Sequence, residues 1–169
     1  MNGDTNPSPE RATEQHSNMA SSLAKITIHL IFRVKTAGVD LRNEDLPRIS
    51  RYIGGIITGL GGIPIEIGGT HNHVHILTSL PKIMSLTNFV RDIKANSSKW
   101  IKQLDIQYAQ FAWQDGYGAF SVSPSLIDKT TQYIRGQEEH HKTRSFREEY
   151  RLFLDAYGIE YDERYAFSD

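Results

Sequence analysis

The sequence predicts an α+β fold in which helices pack on one antiparallel sheet, and three patterns in its 169 residues support this prediction. Apolar and polar residues alternate at the start of the ordered part of the chain, as in a strand. Further along, apolar residues recur at helical spacing. Glycine pairs and helix-capping residues separate the strand-like and helical segments, so the elements can be taken in order.

Composition limits the class of protein. Hydrophobic residues make up 38% and charged residues 23%, which are ordinary values for a soluble globular protein. The absence of cysteine excludes disulfides and thiolate metal sites. No apolar run approaches the roughly 20 residues of a membrane span, and the N-terminus lacks the apolar core of a signal peptide. We therefore expect a cytoplasmic protein with no membrane partner.

Residues 1–22 are rich in Asn, Ser, Pro, Thr and Glu, and we expect them to form a disordered tail. A single domain over residues 23–169 follows. It opens with a strand in which Ile28, Leu30 and Phe32 alternate with polar residues, the pattern of a half-buried strand.

A helix is predicted from about residue 44 to residue 60, with Asn43 as its N-cap. Two short strands follow, at about 63–67 and 72–78, and a turn at Gly68 and Gly69 is expected to join them.

The second half of the chain continues with a helix that begins after Ser85 and a fourth strand at about residues 119–122. A third helix is predicted from Pro124 to about residue 139, and a last helix begins with a capping box of Ser145 and Glu148. The order is that of a ferredoxin-like (RRM-like) fold with an added C-terminal helix.

The net charge of -1 argues against a nucleic-acid partner, but the charges are unevenly distributed. Between residues 82 and 102 the only acidic residue is Asp92, against five cations: Lys82, Arg91, Lys94, Lys99 and Lys102. Residues 155–169 carry five acidic residues against Arg164 alone. Local charge governs phosphate contact, so the basic segment could bind nucleic acid. A solvated helix face is the alternative.

Three histidines alternate in the second half of the predicted hairpin: His71, His73 and His75. Alternate residues of a strand share a face, so these side chains are expected to lie together. Paired imidazoles on a rigid strand can bind a divalent metal, which the pattern favours over a surface histidine cluster. The motif does not identify a reaction.

Tyr133 and Gln137 are spaced to share one face of the third helix. The amide oxygen of Gln137 could complete a metal site beside the tyrosine. A phenol has a pKa of about 10 and attacks poorly when protonated, but a metal that polarises a phosphodiester makes the attack feasible. Taken alone, Tyr133 is better explained as a half-buried core residue.

Five segments share their residues and their order with a known family. They are His-Leu-Ile-Phe-Arg-Val-Lys at 29–35, Asn-His-Val-His at 72–75, Phe-Ala-Trp-Gln-Asp-Gly-Tyr-Gly-Ala-Phe-Ser-Val-Ser at 111–123, Tyr-Ile-Arg-Gly-Gln-Glu-Glu-His-His-Lys at 133–142 and Tyr-Asp-Glu-Arg-Tyr at 161–165. From about residue 26 to residue 167 the chain resembles the HUH tyrosine transposases of the smallest bacterial insertion sequences, including the REP-associated tyrosine transposases.

The resemblance implies that Tyr133 attacks single-stranded DNA to give a 5′-phosphotyrosine link, while His73, His75 and Gln137 hold Mg²⁺ or Mn²⁺. It also implies hairpin-ended DNA as partner and a homodimer, in which the tyrosine helix of one subunit often completes the histidine site of the other. The protein would be bacterial and associated with the nucleoid when bound to DNA. Many relatives carry an aspartate where this chain has Asn72.

The resemblance makes four residues candidates for phosphate contacts: Arg91, Lys94, Lys99 and Lys102. Trp113 or Tyr117 could stack on bases, whereas Trp100 is expected in the core. The roles of His71, His140 and His141 stay open. Two rival functions remain: a zinc hydrolase that uses all three alternating histidines, and a non-catalytic protein that binds single-stranded nucleic acid.

Overall fold

The computed structural model describes residues 23–35, 38–140 and 143–167, except for the side chains of Glu138 and His140. The predicted tail at residues 1–22 and His141 lie outside the described residues. None of the described helices is both long and apolar enough to cross a membrane.

One four-stranded sheet forms the centre of the molecule. Its strands and the two helices between them are β1 (Thr27–Arg33), α1 (Leu46–Gly59), β2 (Ile63–Gly69), β3 (His73–Ser79), α2 (Leu86–Ile101) and β4 (Gly118–Ser121). The strands lie in the order β2-β3-β1-β4, and every neighbouring pair is antiparallel. This arrangement confirms the predicted α+β, ferredoxin-like fold.

Four helices follow the sheet: α3 (Ile127–Arg135), α4 (Gln137–His140), α5 (Phe146–Ala156) and α6 (Glu163–Ala166). The predicted third helix is therefore interrupted at Gly136, which separates α3 from α4. The predicted caps of α2 and α5 are confirmed, because Ser85 accepts from the Asn88 amide and Ser145 forms a capping box with Glu148.

Helices α1 and α2 cover one face of the sheet. Their buried side chains pack against alternate residues of the two central strands to form the main core, which includes Ile28, Leu30, Phe32, Ile49, Ile53, Ile57, Val74, Ile76, Phe89, Val90 and Ile93. Burial of each large apolar side chain stabilises the fold by roughly 1.5–3 kcal/mol. The α1 helix begins two residues later than expected from Asn43, with Asp45 in the N-cap position.

The opposite face is also covered, so the prediction of a half-buried β1 is wrong. Thr27, His29 and Ile31 are buried although they point away from the main core. Aromatic residues of α5 pack on this face, where Tyr150 joins Ile31 and Phe120 in a second apolar cluster. The helices that follow the sheet thus enclose the polar residues of β1.

The expected turn at Gly68 and Gly69 is wrong, because both glycines belong to β2 and the reversal lies at residues 70–72. A Cβ at Gly68 would lie 2.9 Å from the carbonyl oxygen of Ile134 in α3. Glycine is needed here because the α3 backbone approaches the strand closely. This approach sets the position of the helix that carries Tyr133.

Candidate metal and tyrosine site

The two histidines at the start of β3 lie side by side on the face covered by the C-terminal helices. His73 and His75 are fully buried, and their ring centroids are 5.0 Å apart. His71 lies in the preceding turn with an exposed side chain, so the prediction that all three histidines line one face is wrong. The strand begins only at His73, and the alternation of faces therefore includes only His73 and His75.

The orientation of His73 is set by the turn before it. Its Nδ1 lies 2.7 Å from Asn72 Oδ1 and 3.0 Å from Thr70 Oγ1. With its proton on Nδ1 donated to the Asn72 carbonyl oxygen, the ring presents the lone pair of Nε2 to the interior of the site. Asn72 thus provides an uncharged acceptor for this ring proton.

His75 has a similar partner in β1. Its Nδ1 lies 2.9 Å from Nε2 of His29, which is 2% exposed. Burial first, and the neighbouring His75 second, hold the pKa of His29 well below its usual value. A neutral His29 can accept the Nδ1 proton of His75, and in that tautomer Nε2 of His75 carries the lone pair that a metal ligand needs.

Two further side chains from the C-terminal helices complete the group. Gln137 Oε1 lies 3.3 Å from His73 Nε2, while Gln137 Nε2 donates to Glu149 Oε1 over 3.0 Å. The second oxygen, Glu149 Oε2, lies 3.7 Å from Nε2 of His73 and 3.6 Å from Nε2 of His75. One ligand atom from each of His73, His75 and Glu149 lies within 4.8 Å of the others.

Sequence reasoning missed Glu149 and the contact made by His29. Glu149 stands in the apolar stripe of α5, three residues after Phe146 and four before Phe153, and is 4% exposed. A carboxylate at a core position was the available signal, because buried acids are rare unless they are paired or bound to a metal. Burial raises the pKa of Glu149 to about 7.

Tyr133 lies on α3 beside this group, with a half-buried side chain. Its hydroxyl donates a hydrogen bond to Glu149 Oε1. Its ring is edge-on to His75, with 5.9 Å between the centroids. The phenol and the histidine pair thus meet within one chain, because α3 packs against the β2 and β3 strands of its own sheet.

A cavity of about 240 Å³ opens beside Tyr133. Its lining includes His29, Lys129, Thr130, Phe153 and Tyr157. His73 and His75 are closed off from solvent by α5, whereas the side of the site that carries the phenol of Tyr133 borders this cavity.

The four candidate phosphate contacts lie on or at the end of α2, across the sheet from this site. Lys94 differs from the rest, because its Nζ donates to the carbonyl oxygens of Asp115 and Gly116 over 3.0 and 2.9 Å. Arg91, Lys99 and Lys102 are exposed. The prediction that Trp113 could be a base-stacking surface is wrong, since it is 6% exposed and donates its Nε1 proton to Ser97.

The fold and the sequence together define a transposase. A family model for IS200-like transposases matches residues 22–137, so the chain belongs to the IS200-like transposase family. The matched region contains His73, His75, Tyr133 and Gln137, and Glu149 lies beyond it. Members of a transposase family act on DNA, so nucleic acid is the partner of this protein. No curated protein sequence matches the chain.

Two solved structures share the fold. One is a candidate transposase from Deinococcus radiodurans R1, at 21% identity and a TM-score of 0.54, which covers 69% of this chain and 93% of its own. The other is a REP-associated tyrosine transposase bound to a REP hairpin, at 15% identity and a TM-score of 0.53, covering 74% of each chain.

Proposed function

We propose that this protein nicks single-stranded DNA and transfers the cut strand through a 5′-phosphotyrosine link to Tyr133. His73, His75 and Gln137 would hold Mg²⁺ or Mn²⁺, with Glu149 as an additional ligand. The observation that carries the proposal is the meeting of a buried imidazole pair, an amide, a carboxylate and a phenol within a single chain.

The donor set fits a divalent cation. Both Nε2 atoms, the Gln137 carbonyl oxygen and Glu149 Oε2 converge, and a cation would offset the burial of the carboxylate. Two imidazoles favour Mn²⁺ or a later metal, so we expect Mg²⁺ to bind weakly without DNA. When bound, the ion would polarise the phosphodiester and offset the charge that develops on it.

In the proposed step, the phenolic oxygen of Tyr133 forms a bond to phosphorus and the bond from phosphorus to the 3′-oxygen breaks. The 3′-oxygen keeps the electron pair and gains a proton. Glu149 Oε1 is placed to accept the phenolic proton, because the hydroxyl already donates to it. The phosphotyrosine ester keeps the energy of the broken bond, so another 3′-hydroxyl can attack it without ATP.

We propose that the substrate is a single strand with hairpin ends, because a structural neighbour is a REP-associated transposase bound to a REP hairpin. Lys129, in the cavity beside Tyr133, is placed to attract the strand to be cut. Arg91, Lys94, Lys99 and Lys102 remain the predicted phosphate contacts elsewhere. A homodimer at the bacterial nucleoid is the expected setting, and we propose that each site is assembled within one copy.

The rival zinc hydrolase would need His71 as a third histidine ligand. His71 is exposed in the turn before β3, and it does not belong to the ligand group found among the described residues. A phosphoryl-transfer site that uses the phenol of Tyr133 accounts for the arrangement better.

The test uses labelled single-stranded hairpin DNA from the ends of the element, incubated with the protein and Mn²⁺. We expect a protein–DNA band that resists denaturant and disappears in Tyr133→Phe and in His73→Ala. Tyr157→Phe is the matched control, because it removes another phenol from the lining of the same cavity, and it should keep the band. A band that persists in Tyr133→Phe would place the nucleophile elsewhere. DNA binding without cleavage in any metal would indicate the non-catalytic rival.

A further inference from the structure

A groove between α1 and α2 carries features that the tyrosine site does not use. Tyr52 of α1 and Trp100 of α2 stack with their ring centroids 4.0 Å apart and their planes 6° from parallel. Tyr52 is 36% exposed, and Trp100 is only partly buried rather than enclosed in the core. The groove has a volume of about 530 Å³, and these two rings, Arg48, Arg51, Gly55 and Ile56 line it.

The charge of this groove is opposite to that of the whole chain. The guanidinium of Arg48 lies 5.4 Å from the ring centroid of Trp100, and Arg51 is exposed one turn further along α1. Among the described residues, no acidic residue lines the groove. Asp45, just before α1, interacts with Arg48 but is paired with Arg42 over 2.7 Å. The groove is therefore cationic in a chain whose net charge is -1.

We propose that this groove, which we call the α1–α2 groove, binds an unpaired segment of DNA. A base would stack on the Tyr52–Trp100 pair, and Arg48 and Arg51 would contact the adjoining phosphates. Aromatic rings beside cations bind single strands without sequence preference, because every base has a face that can stack. A duplex keeps its base faces covered, so an exposed stacked pair favours an unpaired base. The inference rests on the proposed DNA substrate.

The position of the groove separates this contact from cleavage. Helices α1 and α2 cover one face of the sheet, whereas Tyr133 and the histidine pair lie on the other face. A segment bound in the groove is therefore not the one that meets Tyr133. The groove acts as an anchor for a second part of the strand, and its loss should weaken DNA binding without removing any group from the tyrosine site.

Tryptophan fluorescence tests the proposal directly, because the chain has only two tryptophans, Trp100 and Trp113. Trp113 is 6% exposed and lies against Phe32 and Phe111, so we expect the quenching to come from Trp100. In the Tyr133→Phe background, where no adduct forms, a twelve-residue oligothymidylate is titrated into the protein. We expect quenching that saturates, is lost at high salt, and is absent with a blunt duplex of equal length.

Two variants assign this signal to the groove. Trp100→Phe should abolish the quenching while it keeps an aromatic ring for stacking, so anisotropy of a labelled oligothymidylate should still report binding. The double variant Arg48→Ala with Arg51→Ala should weaken binding and reduce the slope of log affinity against log salt by about 1.4, since each phosphate contact on a single strand contributes about 0.7. Trp100→Ala should lower affinity roughly five- to hundred-fold.

The matched control is Lys25→Ala with Arg164→Ala, which removes the same charge from exposed positions outside the groove and should leave the salt slope unchanged. Equal effects of the two double variants would overturn the proposal, as would absent quenching or a preference for the duplex. The last two results would point to a protein partner or a double-stranded ligand. Failure of the proposed cleavage mechanism would give a different result. A covalent adduct would still form in the Tyr133→Phe variant, and the quenching by oligothymidylate would persist.

Discussion

The hydrogen bond between His29 and His75 should control how tightly the protein binds its metal. In His29→Leu, the Nδ1 proton of His75 loses an acceptor at 2.9 Å, and the leucine side chain offers no acceptor in its place. An unsatisfied buried donor costs about 1–3 kcal/mol, and the proton can move to Nε2, the atom that must bind the metal. We therefore expect roughly 10- to 100-fold weaker Mn²⁺ binding, the usual effect of losing such a partner.

His29→Gln is the matched variant, because its amide oxygen can take the place of the imidazole Nε2 and accept the same proton. Electron paramagnetic resonance measures the free Mn²⁺ that remains at each protein concentration, and it needs neither DNA nor catalysis. Nitrogen-15 spectra of the histidines would report which ring nitrogen of His75 carries the proton. The hydrogen-bond argument fails if the leucine and glutamine variants bind Mn²⁺ equally, or if the tautomer of His75 is the same in both.

Three further results should follow from the same geometry. Burial raises the pKa of Glu149 from 4.5 to about 7. The contribution of Glu149 to the stability of the metal-free protein is therefore present below pH 4.5 and is lost as the pH rises through about 7. Urea unfolding at pH 5 and pH 8 should show this loss, at most about 3 kcal/mol, in the wild type and not in Glu149→Gln. Gly68→Ala should displace α3 and reduce adduct formation at least tenfold, whereas Gly59→Ala, which meets no atom within 4 Å, should not; equal activity would show that the close approach is unimportant. Asn72→Asp should tighten Mn²⁺ binding several-fold, because a carboxylate makes His73 a more basic ligand, and unchanged calorimetric affinity would contradict this role.

The order of elements could be predicted from the sequence because each element carries its own local pattern. The apolar stripe of α1, the Ser85 cap of α2 and the capping box at Ser145 are all local features, and the structure contains each of them. The predictions that proved wrong concern contacts between segments that are distant in the sequence. In the sequence Gly68 resembles a turn residue, but it lies in β2. A glycine is needed there because the α3 backbone passes close to the strand.

The candidate site was predictable only in part, for the same reason. The spacing of His73 and His75, and that of Tyr133 and Gln137, places each pair on one face of one element. Glu149 comes from a helix beyond both motifs, and only the packing of α5 on the sheet brings it to the histidines.

Tryptophan environments show a similar limit of sequence reasoning. Trp113 was expected as an exposed stacking surface, but it is enclosed by Phe32 and Phe111. Trp100 was expected in the core; it packs against the core but stays only partly buried, because it also lines the α1–α2 groove. How much of a helical side chain stays exposed depends on the helix that packs against it. The spacing of apolar residues in the sequence does not specify that partner.

The central claim is that one chain supplies both the phenol and the imidazole pair of a working site. Mixing two inactive variants, Tyr133→Phe and His73→Ala, with labelled hairpin DNA and Mn²⁺ tests it most directly. A site assembled within one chain predicts no covalent protein–DNA band from the mixture at any ratio, because neither protein carries both groups. A band that returns on mixing would show that Tyr133 of one copy works with the histidines of another, and would contradict the account.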